Sequence, residues 1–183
     1  MWYSVIVNES CLFLKGDENM KKQKPAVNIS KLTQAITQNF FSKKTNNNFY
    51  FCEDCGDKVG ITLNTHVVYY VDKSQFILDI KKMIHNKNMN LLRSLYKDNN
   101  FDDLKTVINT KEEKSLEDGR TLLILEIEDT NKKMVIDTNY IGMFDFDNLI
   151  LKTAGGYNGV YLYTEDKSLV GIIMPVYDDT LNK

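Results

Sequence analysis

Apolar positions first recur at helical spacing at Ile29, Leu32, Ala35, Ile36 and Phe40, which predicts an amphipathic helix running to about residue 41. Ser30 reads as its N-cap, the stretch 24–28 before it as extended, and SKKTNNN after it as a polar loop. The period then drops from 3.6 to 2. Segments 49–52, 59–63 and 67–71 predict three short strands, with Gly56 and Asp57 in the first turn and Asn64 and Thr65 in the second. Helical spacing returns at Phe76, Ile77, Ile80 and Ile84 behind a cap within 72–74, and more briefly at Met89, Leu92, Leu95 and Tyr96. Segments 104–110 and 121–128 predict a strand pair around a charged connector, 111–119.

From Lys133 the opening grammar repeats. Segment 134–136 reads as extended, Thr138 as the cap of a short helix through Tyr140, Ile141 and Phe144, and 149–152, 160–164 and 169–176 as three strands. When AVNISKLTQAI is set above MVIDTNYIGMF, Val27 falls on Val135, Ser30 on Thr138, Leu32 on Tyr140 and Ile36 on Phe144. This is an internal repeat of strand, helix and three strands, covering about 24–80 and 120–179. The expected fold class is α+β, with the helices on one face of an antiparallel sheet.

Composition narrows the function classes. A chain of 183 residues, 43% hydrophobic and 26% charged, suits one soluble domain with its own core. No apolar run is long enough to span a membrane. A net charge of −2, with Arg93 and Arg120 as the only arginines, gives no general attraction to nucleic acid. The bias toward Lys, Asn, Ile and Tyr fits an AT-rich coding sequence of a low-GC bacterium or its phages. Three cysteines do not make a secreted disulfide scaffold, so a bacterial cytoplasm is expected. Residues 1–19 lack a basic region before their apolar stretch and make a poor signal peptide. They read as an extra hairpin, or as a leader, because Lys15-Gly16-Asp17 back-translates to a ribosome-binding sequence placed for a start at Met20. Residues 20–183 then form the single domain.

NYIGMF, NLILKT, NGVYLYTEDKS and LVGIIMPVYDD follow one another as the closing pieces of a bacterial DNA sliding-clamp domain do. The run Gly171-Ile172-Ile173-Met174-Pro175-Val176 resembles that family's last strand most specifically. GITLNTHVVYYVDKSQF is similar to the clamp segment Thr-Asp-Gly-His-Arg-Leu; His66 takes the histidine place, while Asn64-Thr65 stands for Asp-Gly and no arginine follows. The resemblance implies a stand-alone clamp-like domain built from two repeats, without enzymatic activity or cofactor. It would bind a replication or host-defence protein as a monomer or small homo-oligomer of phage or mobile-element origin. Clamp helices that face DNA carry several cations, but here the first helix region offers only Lys31, Lys43 and Lys44, which implies weak DNA contact.

Other chemistries are weaker. Cys52 and Cys55 have zinc-knuckle spacing, yet no second pair exists, and Cys11, His66 and His85 are the only further soft ligand candidates. The pair lies in a turn between strands rather than opening a helix, which disfavours a thioredoxin-type role. His66 has no Ser-His-Asp neighbourhood, and residues 155–159 read as a hairpin loop rather than a phosphate cradle. Acidic pairs at Glu53-Asp54, Asp102-Asp103, Glu112-Glu113, Asp145 with Asp147, and Asp178-Asp179 could hold magnesium, though such pairs are usually solvated. Two alternatives therefore stand beside the binding module. One is a phage-encoded inhibitor of a host nuclease or defence system, of the anti-CRISPR kind; the other is a small metal-dependent nuclease.

Overall fold

The computed structural model describes residues 25–41, 51–76, 78, 91–97, 100–155 and 158–176. The hairpin or leader at 1–19, the apolar face at Ile77, Ile80 and Ile84, and Lys43, Lys44, Cys11, His85 and Asp178-Asp179 lie outside them.

Within these residues the chain is α+β, with two α-helices and one nine-stranded antiparallel sheet. Helix α1 spans Ile29–Phe41. Strands β1 (Phe51–Asp54), β2 (Lys58–Thr62) and β3 (Val67–Asp72) follow, then α2 (Leu91–Lys97). β4 (Lys105–Ser115), β5 (Thr121–Ile127) and β6 (Lys132–Asp137) form a meander, and β7 (Ile150–Thr153), β8 (Val160–Tyr163) and β9 (Leu169–Ile173) complete the sheet. The strand order is β1-β2-β3-β9-β8-β7-β4-β5-β6. Around the antiparallel β3–β9 pair, β1-β2-β3 is mirrored by β7-β8-β9.

The sheet is strongly coiled. Val176 donates its N–H to the Val135 carbonyl at 2.8 Å, so the chain just past β9 touches β6. In a flat sheet those two strands, five places apart in the order, would stand ~24 Å from each other. Three residues reach only ~10 Å. The sheet must therefore wrap, and its concave side encloses the larger core.

Alternation along the strands separates two cores. On the concave face Val59, Ile61, Tyr69, Leu125, Ile136 and Ile173 pack with Leu32 and Ile36 of α1 and with Phe144. Leu32 and Ile36 are fully buried, each worth about 1.5–3 kcal/mol. On the other face Tyr70, Tyr161, Tyr163, Leu169 and Ile172 pack with Leu92 of α2. The helices thus occupy both faces, which corrects the expectation of one. The cause is Gly60 on β2: a side chain there would meet Leu92 Cβ at 3.0 Å and Cys55 Sγ at 2.9 Å, so its absence lets α2 dock.

Several boundaries differ from expectation for local reasons. α1 is capped by Asn28, whose Oδ1 accepts the Lys31 N–H at 3.0 Å, and not by Ser30. Asp137 rather than Thr138 caps the second start, accepting the Asn139 N–H at 2.9 Å. That second start makes only a 3-10 turn, Thr138–Tyr140, before residues 143–145 bond back to 26–28. Both of these segments pack into the concave core, on the same face. The connector 111–119 is largely strand: β4 runs to Ser115 across a bulge between Asn109 and Glu113, where Lys111 takes φ 62°. The final strand ends at Ile173, and Val176 forms an isolated bridge.

Candidate functional site

Cys52 and Cys55 sit on opposite faces of the sheet. Cys52 belongs to the concave core and Cys55 to the core under α2, each almost fully buried. Desolvation, with the neighbouring carboxylates and the other cysteine adding to it, pushes the Cys52 thiol up to about 12. Burial likewise pushes Cys55 up to about 11. His66 stands apart from both, exposed and stacked on Tyr140 with ring centroids 5.4 Å apart. Its backbone is fixed instead, with the N–H donated to Asn64 Oδ1 at 2.8 Å and the carbonyl accepting the Met174 N–H at 2.7 Å. Cys52, Cys55 and His66 therefore do not converge.

The acidic pairs are likewise dispersed. Asp54 pairs with Lys73 at 2.8 Å and takes the Gly56 N–H, and these bonds hold its carboxyl below the usual range. Asp102 pairs with Lys167 at 2.9 Å, and Asp147 with Lys111. Among the described residues no group of three or more His, Cys, Asp or Glu is placed to hold a metal ion. Lys31 is exposed and is the one cation in α1.

Glu53 has a different role. Its side chain points to the face opposite Cys52, where Oε2 accepts the N–H groups of Leu92 at 2.9 Å and Arg93 at 3.3 Å. These are among the donors that a helix start leaves without an intrahelical partner. Arg93 Nε donates to the Asp54 carbonyl at 2.9 Å, Tyr70 OH to the Leu92 carbonyl at 2.9 Å, and Tyr96 OH to Asp57 at 3.3 Å. Together they fasten α2 to the β1–β3 end of the sheet.

Fastened there, α2 forms one wall of a groove of about 360 Å³. Leu91, Leu92 and Leu95 face Val68, Tyr161, Ile172 and Met174 across it, while the Asn64–His66 turn and Asn158 add polar groups to the lining. No carboxylate, lysine or arginine is found among the described lining residues. Leu91 is 53% exposed and Met174 41%, so both present apolar surface at the rim of the groove. A second cavity, of about 390 Å³, is lined by Asp145, Glu165 and Asp166, with Asp145 bonded to Asn148 and Asp166 to Thr164. The groove was not anticipated from sequence because its walls come from four separate segments. Ile172–Met174 carried a signal through the GIIMPV run and Leu92 and Leu95 through helical spacing, but nothing local brought the two together.

Comparison of the chain with protein-family models, curated proteins and solved structures yields no match. No helix among the described residues is long and apolar enough to cross a membrane.

Proposed function

We propose that this chain is a clamp-like, non-enzymatic binding module that holds a short apolar segment of a protein partner in the groove between α2 and β3–β9–β8. The groove itself carries the reading. Its volume falls in the range of small-ligand sites, and its apolar walls with a few polar lining groups suit a few aliphatic or aromatic side chains on an extended peptide. A stable dimer would need about 800 Å² from each partner, far more than a groove of this size supplies. Charged side chains are disfavoured, because the described lining offers no opposite charge to offset their desolvation.

The clamp-like part of the reading is supported by the mirrored strand order around β3–β9 and by α1 packing on the same face as 138–144. Lys31 alone gives α1 little hold on DNA, so the reading places the function in protein contact.

The test is selection from a random heptapeptide phage library on the immobilised full chain. Selected peptides should carry at least two large apolar residues, and Leu91→Lys or Met174→Lys should abolish their binding without changing the circular dichroism spectrum. Selection of charged peptides, or binding indifferent to both substitutions, would overturn the proposal.

A further inference from the structure

We infer that Glu53 is the positioning residue of the groove: by seating α2 on β1, it sets how closely the wall of Leu91, Leu92 and Leu95 faces Ile172 and Met174. This inference rests on the groove being the peptide site proposed above.

The two walls are held in different ways. The sheet wall is fixed by backbone ladders, since β9 is paired on both sides, to β3 and to β8. The other wall is a helix of seven residues, too short to be stable by itself. It stands where its ties to β1, the following turn and β3 put it. Glu53 is a buried tie, 8% exposed, and one carboxylate oxygen receives two successive amides of the helix, whereas Tyr70 reaches a single carbonyl, that of Leu92. A carboxylate accepting two backbone N–H groups fixes both the rotation and the advance of the helix, because both donors must stay in reach. Leu91, Leu92 and Leu95 turn with those amides. Contact across a packed groove is sensitive to such movement: a gap of ~0.5–1 Å forfeits a quarter to a half of each dispersion contact.

Glu53 does not line the groove, so its effect must pass through α2. The helix also brings Leu92 against Tyr70 and Cys55 over Gly60, which gives it an apolar seat once Glu53 has set the register. Removing the carboxylate should therefore loosen the wall without dissolving the sheet.

The experiment measures binding of a fluorescein-labelled heptapeptide selected as above, by anisotropy, to the full chain and its variants. Glu53→Ala should weaken binding about tenfold or more, and Glu53→Gln, which keeps an acceptor oxygen without the charge, about threefold. Leu95→Ala should cost affinity in the wild-type background and little in Glu53→Ala, because the wall it belongs to has already moved. Hydrogen exchange at the Leu92 and Arg93 amides should accelerate in Glu53→Ala, with the β3–β9 amides unchanged. If Glu53→Ala does not fold, Glu53→Gln carries the test alone. Unchanged affinity in the folded variant, or a Leu95→Ala loss that adds in full, overturns the positioning role and leaves the groove reading intact. A wild-type chain that binds no library peptide overturns the groove reading and this inference with it, whatever the amides do.

Discussion

The ring of Phe144 occupies the space that a side chain at Gly171 would need: a Cβ there would stand 2.5 Å from two of its ring carbons and 3.1 Å from the Val68 carbonyl oxygen. Gly171 lies beside a bulge, since Leu162 pairs with Gly171 but Tyr163 with Leu169, leaving Val170 without a partner. Phe144 in turn stacks on Tyr69, with centroids 5.0 Å apart. The glycine thus lets the 138–144 segment close onto the centre of the sheet.

Gly171→Ala should cost about 1–3 kcal/mol in chemical denaturation, as overpacking of a filled core does. Phe144→Leu in the same chain should recover part of that loss, since the two changes share one space. Fully additive costs would mean that the ring and the glycine are not in contact.

Ile172 and Ile173 alternate across the sheet, yet both are buried. Ile173 is 0% exposed in the concave core and Ile172 3% exposed beneath α2. Ile172→Asp and Ile173→Asp should each cost about 4 kcal/mol or more, because neither site offers a partner for a carboxylate. Thermal denaturation checks this. The sharper distinction is in peptide binding: Ile172→Val, a mild change, should weaken it, and Ile173→Val should not.

Burial of Cys52, Cys55, Tyr69 and Tyr163 makes the fold sensitive to alkali. Burial raises all four, to about 12, about 11, about 12 and about 12. An unfolded chain would release these protons near pH 9 for the thiols and near 10 for the phenols. Above those values the unfolded state binds fewer protons than the folded one, so stability is fully present below about pH 9 and falls as pH rises toward 12. Melting temperature measured from pH 8 to 11 should decline over the upper part of that range. In the folded chain at pH 8, a thiol reagent should leave Cys52 and Cys55 unmodified until denaturant is added. Rapid modification of Cys52 would contradict the burial.

Much of the sheet could be read from the sequence because its turns have strong local chemistry. Asn64 accepts the N–H groups of His66 and Val67, and Asp54 that of Gly56, as turn residues do. The period-two strands on either side then had only one place to go. Helical periodicity at 138–144 misled, because Asp137 initiates the turn but backbone bonds from 143–145 to 26–28 end it early. The charged run at 111–115 looked like a loop, yet pairing with Leu122 and Leu123 holds Lys114 and Glu113 in strand. The second core was invisible for a different reason: nothing local in Gly60 says that a helix thirty residues on will rest against it.

The most direct measurement is a methyl NMR titration of the full chain with a library-selected apolar heptapeptide. Shifts should concentrate on Val68, Leu91, Leu95, Ile172 and Met174, leaving concave-core methyls such as Ile36, Leu125 and Ile136 unmoved. Shifts centred on α1 or on β4–β6, or none at saturating peptide, would contradict the account.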